Sequence, residues 1–593
     1  MATTARSTDE QELLAQVSTD ELMNSTRTIA QWERYSGTPD EAKAFDWIEA
    51  KLQGYGFATT RYQHPALVSW PEEASLVITP ANGEPFEVYC KTHAFGASTP
   101  DEGLTGELVS AGRGSADELA GLDLAGKIAL VDGLVAPHRN LALEATGVAA
   151  SIWIAGTHLH ERGLSPVWGT PTPETAHLLP KTPSVSVKAE DGQRIKAALE
   201  AGPAQVTLKA KVHQAWAQLP LLIADIKPAT TGPDAHTFVM LSGHVDSWYY
   251  GAMDNGSANA TQIEVGRILA GRRDQLRRGL RLAFWSGHSH ARYAGSAWYA
   301  DNAWQDLHDN CVAHINIDSV GAKEATVLSQ GNSMEVLREF VSDAIEAIAG
   351  QRLDPRRFGR SGDQSFWGHG IPAALMSLSE QPPENADPVL LALHSVISGG
   401  ESKSGGLGWW WHLPEDTIDK IDPDNLHRDA SIYVLLLYRL CTARILPVDY
   451  RATARDISAN VAKIQEAAGE HFDLSPATDA LAELSATLDR LYAALDGVSD
   501  DETAGAVNRA LQEIGWALIP VDYTKTGEFD HDLAIPTSPL PGLQQAGSLA
   551  SLEPDSDQYH FLRTRLVRER NRLVHGIITA RRAAEEALAQ LSG

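Results

Sequence analysis

The sequence predicts an α/β protein built on a central mixed, mainly parallel sheet with helices on both faces, plus an α+β insert and a C-terminal helical bundle. Between residues 214 and 450, the largely apolar runs FVML, LRLAF, VAHINI and AALM alternate with helical segments, as in sheets covered on both sides. Short β-rich runs dominate residues 101–213. From residue 451 to 593 strand patterns disappear and long stretches have helical periodicity.

A chain of 593 residues is too long for one hydrophobic core. The changes in sequence pattern divide it into four regions. Residues 1–100 contain two predicted helices within 19–57, separated by Ser36–Pro39, and then strands such as SLVIT. The insert, 101–213, includes the predicted strands KIALV, ASIWIAG, PSVSV and QVTLKAKV. The predicted domains are therefore 1–100, 101–213, 214–450 and 451–593.

Composition excludes several classes of protein. The formal net charge of -28 argues against nucleic acid as a partner. Three widely spaced cysteines make a disulfide framework unexpected. No stretch approaches the roughly 20 apolar residues of a membrane span, and the N-terminus shows no secretory signal. We therefore expect a cytoplasmic protein with no membrane partner.

Histidines and aspartates follow the apolar runs of the central region. In chain order they are His244, Asp246, Asp254, His288, His290, Asp318 and His412. Open α/β sheets collect functional groups beyond the carboxyl ends of their strands, so these side chains are predicted to converge. Imidazole and carboxylate are ligands for zinc, iron, nickel or manganese. The pattern favours a metal site.

The motifs GHVDSW, GAMDNGSANA, FWSG, INIDSVG and HLPEDTIDKID together resemble the co-catalytic zinc exopeptidases. The resemblance is best to the branch that contains glutamate carboxypeptidase II and the transferrin receptor. It implies a zinc-exopeptidase-like domain formed by 1–100 and 214–450, and a protease-associated domain at 101–213. It also implies a helical dimerisation domain at 451–593, and hence a homodimer.

The resemblance also implies roles for individual residues. His244, Asp254 and Asp318 would bind one divalent metal, and Asp254 would bridge to a second. His412 would bind the second metal, and Asp246 would orient His244, as metal-bound imidazoles generally require. One or two metals are expected, with zinc first.

The family's Glu-Glu pair is missing from this chain. In the family the first Glu is the general base and the second binds the second metal, and counting back from Gly295-Ser296 places Ser289 and His290 there. His290 can still bind a metal, and a site with two histidines also suits iron(II) or nickel, with manganese a further alternative. A serine hydroxyl is no general base near neutral pH without an activating partner. His288 is the nearest candidate for proton transfer; a surface histidine on a turn is the equal alternative.

The substrate pocket is expected to be aromatic and apolar-walled, without a glutamate carboxylate clamp. Tryptophans precede the last predicted ligand, and residues 531–542 contain no lysine. The candidate substrate-binding residues are Trp410, Trp411, Arg360, Asp363 and Arg139, the last on a turn of the insert that could close over the site. Core packing is the alternative role for at least one tryptophan.

Three functions are compatible with this sequence. The favoured one is a metal-dependent hydrolase of an amide or related C–N bond in a small molecule or short peptide. The second is a non-hydrolytic lyase or cyclase acting on a carboxylate-bearing substrate, which the loss of the water-activating Glu favours. The third is a catalytically inactive receptor-like homologue, against which the retained metal-ligand positions argue.

Overall fold

The computed structural model describes residues 6–388, 390–392 and 402–591, and it confirms the predicted α/β fold class. Twelve strands lie in this part of the chain. They are β1 (Ala58–Pro80), β2 (Phe86–Val88), β3 (Cys90–Thr92), β4 (Leu104–Ser110), β5 (Ile128–Asp132), β6 (Ala150–Ile154), β7 (Ser184–Val187), β8 (Ala204–Ile226), β9 (Phe238–His244), β10 (Gly279–Trp285), β11 (Cys311–Asn316) and β12 (Ala373–Ala374).

The helices of the N-terminal region begin at capping side chains. Ser18 and Thr38 accept the backbone N–H groups of Glu21 and Glu41, and so begin the two helices predicted within 19–57. The longer α-helices of the described residues are Thr8–Leu14, Thr19–Ile29, Pro39–Gly54, Pro137–Glu144, Ala189–Glu200, Ala258–Ala270, Ala294–Asn302, Trp304–Asn310, Glu335–Ala349, Pro423–Thr442, Tyr450–Ala468, Ser475–Leu495, Asp501–Tyr523 and Asp557–Leu591.

The central sheet places three strand ends at one edge. β9 pairs in parallel with β10 on one side and with β11 on the other, and β11 continues in parallel to β12. β8 pairs antiparallel with the other side of β10 and continues the sheet. Every residue of β9 and β11 is buried, as expected for strands covered by helices on both faces. The residues that follow β9, β10 and β11 therefore emerge side by side.

A long two-stranded ribbon connects the central sheet to the insert. β1 and β8 are 23 residues each and pair antiparallel along almost their whole length. In the insert, β4, β5, β6 and β7 form a parallel sheet, with β3 antiparallel to β7. The hydrophobic cluster of the insert includes Leu76 and Val88, which precede residue 101. The domain bounds stay predictions.

The C-terminal region is helical throughout its regular structure, as the sequence predicts. Leu566, Leu573 and Ile577 are buried along one stripe of the last helix. Among the described residues, no helix combines the length and the apolar character needed to cross a membrane. The homodimer and the cytoplasmic location stay predictions.

Candidate metal centre

His244, Asp254 and Asp318 meet at the predicted edge of the central sheet. His244 is the last residue of β9, and its Nε2 lies 3.2 Å from Asp254 Oδ1 and 3.5 Å from Asp318 Oδ2. The other oxygen of Asp254, Oδ2, lies 3.1 Å from His412 Nε2. Asp254 thus has one oxygen toward each histidine, as a bridging carboxylate requires.

The donor set fits a divalent transition metal. Two ligands bound tetrahedrally at about 2.1 Å are about 3.4 Å apart, close to the separations around His244 Nε2. His244 Nε2 and Asp254 Oδ1 are buried and make no hydrogen bond within the part of the chain that the structure describes. Buried polar atoms are almost always satisfied. Unsatisfied imidazole and carboxylate atoms that face each other therefore indicate a place for a cation.

Backbone contacts hold the turn that carries Asp254. The carboxylate of Asp416 accepts the N–H groups of Met253 (2.9 Å) and Asp254 (3.0 Å), and burial raises the pKa of Asp416 to about 7, although these hydrogen bonds act in the opposite direction. Gly251 begins the turn at φ 46°, a conformation that favours glycine. Asp416 is therefore placed to fix the direction of a predicted ligand.

Arg34 supports the same segment from the N-terminal region. Its fully buried guanidinium donates to the carbonyl oxygens of Val245, Tyr250 and Gly251, at 2.7–3.0 Å, and to those of Ile29 and Trp32. Burial lowers its pKa to about 10, which leaves it charged at neutral pH.

Asp246 contacts His244 through its main chain and not, as the sequence predicted, through its carboxylate. His244 Nδ1 donates to the main-chain oxygen of Asp246 at 2.7 Å, while the Asp246 carboxylate is 3.9 Å away. That carboxylate instead accepts the backbone N–H groups of His288 (3.1 Å) and Ser289 (2.8 Å). Asp246 therefore connects the end of β9 to the turn after β10.

His288 lies beside the first group of predicted ligands. Its ring stacks on His244, with centroids 3.8 Å apart, and the ligand atoms of His244, His288 and Asp318 all lie within 4.8 Å of one another. Its Nδ1 is 2.9 Å from Asp363 Oδ2, which leaves Nε2 for the site. A histidine held in this way by a carboxylate is suited to proton transfer or to metal binding.

The two residues predicted to stand at the Glu-Glu positions have different environments. Ser289 lines the cleft, and its buried Oγ has no partner among the described residues. His290 is fully buried, with Nδ1 3.0 Å from Ser36 Oγ and 3.5 Å from Asp246 Oδ2, and burial lowers its pKa. Its Nε2 is unpartnered, and no ion pair within the described chain joins it to Asp254. His412 is near enough for its charge to help lower the pKa of His290, and the ligand role of His290 stays a prediction.

A cleft of about 150 Å³ opens onto the group. Asp254, Asp318, His288, Ser289 and His412 line it, together with residues of the insert and of the C-terminal region. The site therefore lies where three parts of the chain meet.

The predicted substrate residues divide between the cleft and its surroundings. Trp411 and Arg360 line the cleft. Trp410 is buried in the core, and Asp363 pairs with His288. Arg139 is directed into the insert, where it donates to the carbonyls of Leu134 and Asp132, and it is His138 that lines the cleft. The turn predicted to close over the site thus reaches the cleft through His138, but not through Arg139, because the guanidinium of Arg139 is bound by the insert's own backbone.

Sequence reasoning missed Arg34, Arg162, Arg292 and Glu161. Arg162 and Arg292 line the cleft, so its wall is not purely apolar. The main-chain oxygen of Glu161 accepts a hydrogen bond from His412 Nδ1 at 2.7 Å and so orients that imidazole. Arg292 lies two residues after His290 and could have been noticed there. The others lie far from every motif and carried no signal.

Comparisons with known proteins find similar sequences. Residues 222–436 match the model described as Peptidase family M28. The chain is 24% identical to a probable glutamate carboxypeptidase VP8 of Zea mays over 73% of this chain and 68% of that protein. It is 26% identical to aminopeptidase YwaD of Bacillus subtilis (strain 168), over 58% of this chain and 68% of that protein.

Solved structures share the fold. The aminopeptidase from Aneurinibacillus sp. strain AM-1 superposes with a TM-score of 0.55 at 22% identity, covering 72% of this chain and 95% of that one. BSAP, a zinc aminopeptidase from Bacillus subtilis, has a TM-score of 0.52 at 22% identity, with 71% and 95% covered. The more specific resemblance to the glutamate carboxypeptidase II and transferrin receptor branch stays a prediction.

Proposed function

We propose that this protein, whose residues 222–436 match the M28 peptidases, is a metal-dependent hydrolase of an amide or related C–N bond in a small molecule or short peptide. The homologues support a metal-dependent peptide hydrolase, since relatives include an aminopeptidase and a probable glutamate carboxypeptidase. The observation that carries the proposal is the buried, unpartnered pair His244 Nε2 and Asp254 Oδ1 beside Asp318 and His412.

His244, Asp254, Asp318 and His412 would hold the metal, and zinc is the first expectation because a related fold belongs to a zinc aminopeptidase. A bound divalent ion supplies Lewis-acid chemistry that polarises a carbonyl oxygen. The chain itself orients the ligands: the Asp246 carbonyl holds His244 and the Glu161 carbonyl holds His412. His290 remains a candidate ligand of a second metal through its unpartnered Nε2.

His288 is the proposed carrier of the proton. Ser289, at the predicted position of the family's general base, has no hydrogen-bond partner for its Oγ among the described residues, whereas His288 lies in the cleft with its Nδ1 held by Asp363. A positioned acid or base contributes typically about 10²–10⁴-fold to the rate. Trp411 and Arg360 would contact the substrate, and residues 451–593 would form the homodimer contact.

The experiment is metal analysis combined with a hydrolysis assay on a panel of dipeptides and N-acyl amino acids, using His412→Ala and a control, His177→Ala, at an exposed position. We expect His412→Ala to reduce both bound metal and activity, while His177→Ala retains both. Activity that persists in His412→Ala without that metal would refute the assignment.

Product analysis in heavy-oxygen water decides the reaction type. Hydrolysis must incorporate solvent oxygen into the product. Turnover without incorporation of solvent oxygen would favour the lyase or cyclase alternative. That alternative is suggested by a serine, Ser289, at the predicted position of the carboxylate base. Protein that binds no metal and transforms no substrate would favour the receptor-like alternative.

A further inference from the structure

Three arginines line the cleft that contains the predicted metal ligands. They are Arg162 from the insert, Arg292 from the turn after β10 and Arg360 from the loop before β12. Asp254 and Asp318 line the same cleft. The cleft therefore combines a group of acidic ligands with a group of guanidinium ions.

Arg360 is held by aromatic rings and not by acids. Its side chain is buried, and its guanidinium carbon lies 4.1 Å from the ring centroid of Trp168 and 5.4 Å from that of Trp367. Its Nε and Nη2 atoms have no hydrogen-bond partner in the described chain. Burial lowers its pKa to about 10, so it stays charged at neutral pH. Its charge is fixed in place with two donors unused.

Arg162 and Arg292 add charge to the same wall. Arg162 lies 5.4 Å from the ring centroid of Trp411, and its buried Nε is also unpartnered. Burial, and then the nearby charge of Arg292, lower the pKa of Arg162 to about 10. Arg292 donates through Nε to the carbonyl of Ser165 at 2.9 Å. Placing two guanidinium groups close together in a buried wall is costly unless an anion joins them.

No acid of the described chain forms an ion pair with these three arginines. None of the three arginines forms an ion pair there, whereas the equally enclosed Arg281 pairs with Asp225 and Asp306. Asp532 is the acid that acts most strongly on Arg360, but its carboxylate accepts the backbone N–H groups of residues 525 and 526. The three arginines therefore line the cleft without an ion-pair partner among the described residues.

We propose that Arg360 and Arg162, with Arg292 beside them, bind a carboxylate of the substrate, so that the protein acts on small carboxylate-bearing amides. This inference rests on the proposed function, because it names the substrate class of the same cleft. A guanidinium presents a planar pair of N–H donors that matches the two oxygens of a carboxylate. The prediction of a cleft without a carboxylate clamp was based on the absence of lysine from residues 531–542. The three arginines come from other segments of the chain.

The test compares benzoate with benzamide, which have the same shape and differ in charge, by calorimetric titration of the full-length metal-loaded protein. Hydrogen bonds to charged groups predict that the wild type binds benzoate about 10- to 100-fold more tightly. Arg360→Met and Arg162→Met should each weaken benzoate by about tenfold or more and leave benzamide within about twofold. Arg194→Met, on the exposed surface of the insert, should change neither.

Two results would overturn the inference. One is a wild type that does not prefer benzoate. The other is a preference that survives both substitutions, which would assign the anion to the metal. If Arg360→Met does not fold, as judged by circular dichroism and metal content, Arg162→Met decides the test. The titration measures binding and needs no turnover. A failure to hydrolyse amides would therefore refute the proposed function, and the benzoate and benzamide affinities would still test the carboxylate site.

Discussion

Replacement of Arg34 should loosen the segment that carries the metal ligands. The side chain of Arg34 donates three hydrogen bonds to the carbonyls of residues 245, 250 and 251. Its main-chain oxygen accepts the N–H of Ser247 at 2.9 Å, a contact that a substitution of the side chain keeps. Hydrogen bonds from charged donors contribute about 1.5–3 kcal/mol each, or about 5–9 kcal/mol for three. The cost of burying the guanidinium offsets part of this. We expect Arg34→Met to lower the free energy of local opening by a net of about 3–5 kcal/mol.

Native-state hydrogen exchange of the peptide that spans residues 244–258 measures this opening directly. At about 1.4 kcal/mol per tenfold, protection should fall by two to three and a half powers of ten. Arg34→Lys keeps the charge but cannot make all the bonds, so it should lie between the wild type and Arg34→Met.

Arg352→Met is the matched control. Arg352 pairs with Glu339, Asp343 and Glu346 at the surface, where ion pairs contribute at most about 1 kcal/mol. If Arg34→Met loses no more protection than Arg352→Met, the reasoning about buried donors is wrong.

Two further predictions concern histidines. Asp363→Asn and His288→Ala should each lower turnover by about tenfold or more with metal content unchanged, because Asp363 holds the imidazole at 2.9 Å; equal kcat values would remove the proton role of His288. Burial lowers the pKa of His64 and His369 to about 4 and that of His314 to about 3. Below about pH 6.5 the unfolded chain therefore binds more protons than the folded chain. The free energy of unfolding should fall as the pH drops from 6.5 toward 4, by about 1.4 kcal/mol per pH unit for each histidine. Urea midpoints measured against pH check this prediction. His64→Gln should remove the contribution of one histidine to the dependence of stability on pH, and an equal pH dependence in wild type and variant would contradict the prediction.

Much of the fold is readable from the sequence because its signals are local. The runs FVML, LRLAF and VAHINI became β9, β10 and β11 within a few residues, since apolar strands bounded by small polar turns leave few alternatives. The 23-residue length of β1 and β8 was not anticipated, because polar residues alternate along their middle. Their paired residues also lie far apart in the chain, from 124 positions for Pro80 and Ala204 to 167 for Ala58 and Asp225.

The sequence by itself determined which chemistry is available and at which edge it appears. Parallel strands have to deliver their following residues to one side, so His244, Asp254 and Asp318 could be grouped before any coordinates were known. That Ser289 and His290 stand at the positions of the family's Glu-Glu pair stays a prediction from the resemblance.

Tertiary structure alone decided which neighbours those residues have. It buried His290 beside Ser36 and Asp246, paired His288 with Asp363, and gathered Arg162, Arg292 and Arg360 into one wall. These contacts join segments tens to hundreds of residues apart. Charge and hydrogen bonding act over a few ångströms in space and leave no periodicity along the chain, so only the packed fold reveals them.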